Sequence, residues 1–276
     1  MPNLVEEMLL LDAAHEPQQV EIDVGGGTAV AYSCREPGKE TENEDSVAVI
    51  PYGPGAAALV VADGAGGLPA GKRASLTAVT TLAGSLQSAM DKTTLLRTAI
   101  LNGIEAANDA VLGLANGSAT TMTVITIEGL IARSYQIGDS EAIIVGQRGL
   151  VKMQTTAHSP TGFAVEAGFL DEREALHHEE RHLVSNFLGT SDMRIDVGAT
   201  VKLNPRDTII VASDGLMDNV HVDEILECIR KGPLTDAVSC TVELATQRMQ
   251  ATREGQPSKP DDLSIIVFRK PEREAN

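Results

Sequence analysis

The stretch AALVVADGAGG, residues 57–67, decides how this chain is read: a short apolar run stops on Asp63 and breaks at once into glycine. An unbroken run of Ala, Leu and Val bounded by turn residues is the pattern of a strand covered on both faces. The pattern recurs at VAVIP (47–51), MTVITI (122–127), LIARSYQI (130–137), EAIIV (141–145), TIIVA (208–212) and LSIIVF (263–268). IDVGATVKL (195–203) alternates like a half-exposed strand, which makes at least eight strands. Helical periodicity predicts helices over roughly 71–90, 93–113, 222–231 and 234–252, with Val238, Val242, Ala245 and Met249 marking the apolar stripe of the last. Hairpin-like strands combined with two pairs of helices depart from a βαβ alternation. They predict an α+β fold, a four-layer α-β-β-α sandwich of two antiparallel sheets with the helices outside.

The chain has 276 residues, enough for one large core. The expectation is a single domain over 21–270, with a loosely held segment over 1–20 and a tail over 271–276. A flap-like, partly helical insertion is expected at about 156–192, where His, Glu, Arg and Gly replace the strand pattern. Lys and Arg total 22 against 39 Asp and Glu, a net charge of −17, which repels phosphate backbones and anionic lipid. Aromatics make up 3% of the chain and Trp is absent, so there is no platform on which bases could stack. Neither nucleic acid nor membrane is expected as a partner. No segment approaches the ~20 apolar residues that cross a bilayer, and MPNLVEEMLLLDAAHE lacks the basic stretch and long apolar run of a signal peptide. Cys34, Cys228 and Cys240 are too few and too scattered to read as a disulfide framework or a zinc site. A reducing, cytoplasmic setting is the expectation.

Carboxylates stand directly beside the apolar runs: Glu44 and Asp45 before VAVIP, Asp63 after ALVVA, Asp214 after IIVAS, and Asp261 and Asp262 before LSIIVF. For any one of them the plainer reading is a turn, since Asp-Gly is a common turn pair. Together at converging strand ends, each like-charged pair at ~5 Å would cost about 3 kcal/mol at an effective dielectric of ~20. A proton or a cation relieves such repulsion, and a set of oxygen donors suits Mg²⁺ or Mn²⁺ better than zinc. Gly64 and Gly215 follow two of the aspartates, where a glycine lets a backbone carbonyl or a water-bridged ligand approach a metal. This placement predicts a dinuclear site.

The same residues carry a family resemblance, in order, over about residues 25–269. The blocks are ENEDS (42–46), VADGAGG (61–67), SATTMTV (118–124), QIGDSEAIIV (136–145), TTAHSP (155–160), EAGFLDEREA with LVSNFLGT (166–190), ASDGLMDNV (212–220) and DDLSIIVF (261–268). In these the sequence resembles the protein phosphatase 2C family, the metal-dependent PPM type, in its compact bacterial style. The resemblance implies the same helix-flanked β-sandwich, with Asp63, Asp214 and Asp261 as the catalytic set. It implies that Asp63 bridges two metals, with Asp214 and Asp261 on one and the Gly64 carbonyl on the other, while Glu44 and Asp45 help to hold metal-bound waters. Asp139 matches the position that supports a third, weaker metal in bacterial and plant-type relatives, and a plain hairpin-turn role is weighed equally with it. Mn²⁺ or Mg²⁺, two ions, are the implied cofactors. The implied reaction is in-line attack on phosphorus by a water shared between the ions, without a phosphoenzyme. The implied substrates are phosphoserine and phosphothreonine in proteins, the products of a Ser/Thr kinase.

Departures from the family pattern bear on activity. Many relatives place an arginine that grips the substrate phosphate where this chain has Glu40; losing one charged hydrogen bond costs about 1.5–3 kcal/mol, or roughly ten- to hundredfold in rate. Lys39 and Arg35 are the nearby cations that could compensate, against a plain reading of both as surface charge. Ala65 stands where some eukaryotic members have a histidine, and Ala157 where relatives have an aspartate beside the position of His158, which is read as structural. His177, His178 and His182 lie in a charge run with Glu179, Glu180 and Arg181 and read as a solvated helix face or turn in preference to a metal site or a phosphate contact. Two further readings stay open: a weak or inactive relative that binds phosphoproteins or a partner, and a hydrolase of small phosphoesters.

Overall fold

The computed structural model describes residues 8–12, 15–65 and 70–271. Its centre is two large antiparallel sheets. In the first, β1 (Leu9–Leu11), β4 (Ser46–Pro51), β5 (Ala56–Ala62), β8 (Met122–Glu128) and β9 (Ile131–Ile137) lie side by side, and β12 (Asp196–Val197) and β13 (Val201–Lys202) both pair with β9. In the second the order is β11 (Val151–Gln154), β10 (Glu141–Val145), β14 (Thr208–Ala212), β15 (Leu263–Arg269), β3 (Gly27–Cys34) and β2 (Gln18–Val24). A short pair, β6 (Gly64–Ala65) and β7 (Ala119–Thr120), stands apart from both. Helices α1 (Ala70–Asp91) and α2 (Leu96–Leu112) cover the first sheet, and α5 (Asp214–Met217), α6 (Val222–Ile229) and α7 (Leu234–Gln250) cover the second. Between β11 and β12 lie α3 (Pro160–Glu166) and α4 (Glu172–Ala175).

The period of two along each strand builds the layers. In β4 and β5, Val47, Val49, Leu59 and Val61 point between the sheets, where they meet Ile144, Ile209, Val211, Ile266 and Phe268 of the second sheet. Their neighbours Ala48, Ile50, Ala58 and Val60 point outward onto Ala78, Leu82, Ile100 and Ile104 of α1 and α2. On the far side Ile143, Ile210, Ile265 and Val267 meet Leu216, Ile225, Val238 and Ala245. A strand with apolar partners on both faces gains from an apolar residue at every position, which is why these strands read as continuous runs. The four-layer expectation holds, and no helix among the described residues is long and apolar enough to cross a membrane.

Three expectations need correction. The first twenty residues are not uniformly loose: Leu9 and Leu11 pair with Val49 and Val47 as an edge strand, and β2 begins at Gln18. Residues 1–7, 13 and 14 lie outside the described residues, as does the tail beyond Pro271. The run 195–203 is two strands of two residues, separated near Gly198, whose N–H donates to the Ser134 carbonyl at 3.0 Å. Cys228 and Cys240 form a disulfide with Cα atoms 5.7 Å apart, leaving Cys34 free and buried. The two cysteines sit on α6 and α7, which fold back on each other, so their twelve-residue separation concealed a contact. With two of the three cysteines paired, the thiols no longer point to a reducing compartment.

Candidate metal centre

Strand register brings the acids together. Ser46 pairs with Ala62, so Asp45 just before β4 and Asp63 just after β5 flank one end of the first sheet. Ala212 pairs with Glu141 on one side and Ile265 on the other, so Asp139 before β10, Asp214 after β14 and Asp261 before β15 gather at one end of the second. Met122 opposite Ile137 ties that same end to the first sheet. The strand-end placement predicted convergence of Glu44, Asp45, Asp63, Asp214, Asp261 and Asp262, and the resemblance added Asp139; the charges of Asp45, Asp63, Asp139, Asp214 and Asp261 act on one another in the folded chain. Burial raises Asp63 well above the usual carboxylate range, and the charges of Asp45, Asp214, Asp261 and Asp139 raise it further. Asp45 rises through burial and Asp262, and Asp139 through burial, Asp214 and Asp218. Burial, with Asp214 beside it, pushes Asp261 up to about 7.

The two glycines have steric reasons. A Cβ on Gly215 would collide with the Asp262 carbonyl, and one on Gly64 would overlap the backbone of Gly71 in the first turn of α1. A Cβ on Gly71 would in turn meet the Gly64 carbonyl and Glu44 Oε1, so these two oxygens face the same narrow space. Tight backbone approach is thus sufficient to require glycine at both positions.

Four buried oxygens lack a partner of hydrogen-bonding geometry among the described residues: Glu44 Oε1, Asp214 Oδ1 and both oxygens of Asp45, although Ser264 and Ser213 are close enough to Asp45 to act against the rise of its pKa. Burying a carboxylate oxygen without a partner is costly, so orphans of this kind fit a bound cation. They are hard oxygen donors, the type that Mg²⁺ and Mn²⁺ take. The described acids do not already form a closed three-ligand cage. Two ammonium groups lie among them. Lys259 Nζ bonds Asp214 Oδ2, Asp218 Oδ2 and Asp261 Oδ2, while Lys39 Nζ lies 2.7 Å from Asp262 Oδ2 and 3.2 Å from Glu44 Oε2. The cluster therefore carries its own partial neutralisation.

Sequence reasoning missed Asp218 and Lys259, and it took Asp261 into the metal set without assigning Asp262 a role. Asp218 closes α5 four residues after Asp214, a spacing that places two acids on one face of a helical turn and was the available signal. Asp262 is buried and accepts from the N–H groups of Glu36 and Glu44 as well as from Lys39, so it holds a loop in place. Lys39 turns inward to the cluster, whereas Arg35, half-buried on the loop, donates to the Glu40 carbonyl at 3.4 Å. His158 is structural: its Nδ1 accepts from the Gly138 N–H at 3.2 Å and faces the Asn186 amide at 2.8 Å. Its own N–H donates to the Gly138 carbonyl at 2.9 Å, so His158 fastens the hairpin tip that carries Asp139. His177, His178 and His182 are exposed, and His178 Nδ1 accepts from the Glu180 N–H, a local turn.

Residues between Thr156 and Arg181 form one wall of a cavity of about 620 Å³ that opens beside Asp139, Asp214 and Asp218. Its other wall is the stretch around His221 and Leu226, and the Arg173–Asp223 ion pair of 2.7 Å spans the two. Glu141 on its floor is pushed up to about 7 by burial, against the opposing hydrogen bond from Gln154.

The family model described as Protein phosphatase 2C matches residues 36–252. The chain is 30% identical over 216 residues to the protein phosphatase PhpP of Streptococcus pneumoniae, covering 75% of this chain and 87% of that one. The PPM Ser-Thr phosphatase MsPP of Mycobacterium smegmatis, solved in complex with cacodylate, superposes with a TM-score of 0.71 at 25% identity, over 87% of this chain and 97% of that one. The catalytic domain of the serine/threonine protein phosphatase PstP, solved with two manganese ions, shares the fold with a TM-score of 0.68 at 24% identity, covering 87% and 96% of the two chains.

Proposed function

This chain belongs to the protein phosphatase 2C family, and from that premise we propose how its own residues carry out metal-dependent hydrolysis of phosphoserine and phosphothreonine in proteins. Two divalent ions, Mn²⁺ or Mg²⁺, would be held by Asp63, Asp214, Asp261 and the Gly64 carbonyl, with Glu44 and Asp45 supporting them and Asp139 near a third, weaker position. Bound there, the ions would supply charge stabilisation on the phosphoryl oxygens and activation of water for in-line attack. The carrying observation is the set of buried, unpartnered oxygens on Glu44, Asp45 and Asp214 at the end of the sandwich where Asp63, Asp139 and Asp261 also gather.

The chain's own residues do the rest. Asp262 fixes the loop that positions Glu44, and His158 fixes the tip that positions Asp139. Lys39 brings an ammonium to the rim one position from Glu40, which supports it as the group that offsets the missing arginine. The cavity under 156–192 is where the polypeptide around the phosphorylated residue would lie, and Ser/Thr kinase products are the proposed substrates. The reading as an inactive binder has no structural observation in its favour.

The test is hydrolysis of p-nitrophenyl phosphate and of a phosphothreonine peptide with Mn²⁺, Mg²⁺ or EDTA. Wild type should turn over both substrates only with metal, and Asp63→Asn and Asp214→Asn should each lose at least about 100-fold, the scale of one lost charge-stabilising group. Turnover that survives both substitutions would remove the site assignment.

A further inference from the structure

Lys259 lies two residues before Asp261 on the loop entering β15, and its ammonium reaches in among the acids. Nζ hydrogen-bonds Asp214 Oδ2 and lies 2.8 Å from Asp218 Oδ2 and 3.3 Å from Asp261 Oδ2. The backbone beneath it is clamped. Its N–H donates to Asn219 Oδ1 at 2.7 Å, and Asn219 Nδ2 donates back to the Lys259 carbonyl at 2.7 Å and to Gly215 O at 2.9 Å. Asn219 is itself fully buried, with its carbonyl taken by Arg248 Nη1 at 2.9 Å. Pro260 follows and limits the backbone further. The lysine is therefore built to place a positive charge at this point, unlike a surface lysine that happens to fold inward.

We propose that the Lys259 ammonium competes for one of the two cation positions: it neutralises Asp214 and Asp261 in the metal-free chain, and a divalent ion gains those oxygens only by displacing it. An ammonium in contact with both carboxylates and a divalent ion bound by the same pair exclude each other by charge and by space. Asp218, which is outside the proposed ligand set, keeps a carboxylate beside the displaced ammonium. The two ions consequently load unequally, the one on Asp214 and Asp261 last. The inference rests on the ligand set of the proposed function. The charged hydrogen bonds given up set its size at roughly ten- to hundredfold in that ion's affinity.

The test needs no substrate: Mn²⁺ is titrated into wild type, Lys259→Met and Lys259→Arg, read by calorimetry and by the electron paramagnetic resonance of free Mn²⁺. Lys259→Met should bind one ion roughly ten- to hundredfold tighter than wild type, and Lys259→Arg, which keeps the charge, should stay near wild type. A Met variant that is unfolded in EDTA but folds when Mn²⁺ is added supports the inference equally, because the ion then supplies the missing charge. Unchanged or weaker Mn²⁺ affinity in Lys259→Met, a variant still unfolded with Mn²⁺, or an Arg variant as tight as the Met variant overturns it. If wild type nevertheless binds two ions, the proposed function stands; if neither wild type nor Lys259→Met binds Mn²⁺, both fall.

Discussion

The Asp262 carboxylate accepts a hydrogen bond of 2.7 Å from the backbone N–H of Glu44, so one side chain at the head of the last strand holds the loop that carries the first two acids of the cluster. The same carboxylate takes the Glu36 N–H at 2.8 Å and the Lys39 ammonium at 2.7 Å. Asp262→Ala leaves these donors without their acceptor. Its expected cost is roughly 2–4 kcal/mol, measured by urea denaturation in EDTA, with weaker Mn²⁺ binding alongside. A loss under about 0.5 kcal/mol would mean that other contacts hold the loop.

The acids predict an unusual pH response in the metal-free chain. Asp261 moves from 3.8 up to about 7, so the folded state keeps a proton that the unfolded chain releases near 3.8. Its contribution to stability is complete below about pH 4 and is lost as the pH rises through 7. Asp45, Asp63, Asp139 and Asp218 shift in the same direction. In EDTA, wild type should lose melting temperature relative to Asp261→Asn between pH 4 and 7, and Mn²⁺ at pH 7.5 should restore it. Parallel melting curves for the two proteins across that range would contradict the shift.

His158 makes the opposite prediction. Burial lowers its pKa below the usual 6.5, and with Nδ1 occupied as an acceptor the ring proton sits on Nε2, 4.0 Å from Asp196. Its contribution is present above pH 6.5 and is lost as the pH falls through the lowered value. His158→Ala should cost about 1–3 kcal/mol at pH 7.5 and progressively less at pH 5, followed by chemical denaturation at each pH. A cost independent of pH would make the residue a packing element alone.

The Cys228–Cys240 bond closes a twelve-residue span between α6 and α7. Opening a loop of this size with dithiothreitol, or substituting both residues by serine, should cost about 2–3 kcal/mol of stability and leave Mn²⁺ affinity unchanged, since both cysteines lie on helices outside the acid cluster. Calorimetric melting with and without reductant measures this, and a loss of metal affinity would show that the helix pair reaches the centre.

The central strands and the two helix pairs were legible because burial on both sides writes itself as unbroken apolar sequence. The outer strands were not. In β2, Gln18–Val24, exposed Gln18, Gln19, Glu21 and Asp23 dilute the apolar signal, and β3 mixes Gly, Ala, Ser and Tyr. The acids at strand ends could be picked out because each adjoins a recognisable run. Lys259 could not, since its place among Asp214, Asp218 and Asp261 depends on a clasp with Asn219 forty residues earlier. Lys39 was visible as a charge next to Glu40, but only the fold shows that it turns inward while Arg35 stays out.

The pairing of Ser46 with Ala62 has a consequence for how such a chain can change over generations. Shifting one strand by a single residue would carry its terminal acid about 3.4 Å along the sheet and exchange every side chain between the inner layer and the helix layer. Insertions and deletions within β4, β5, β14 or β15 therefore strike catalysis and folding at once, and selection removes them together. Residues 168–180 carry no strand register and are mostly exposed, so a change of length there leaves the spacing of the acids untouched and alters only the surface beside the cavity.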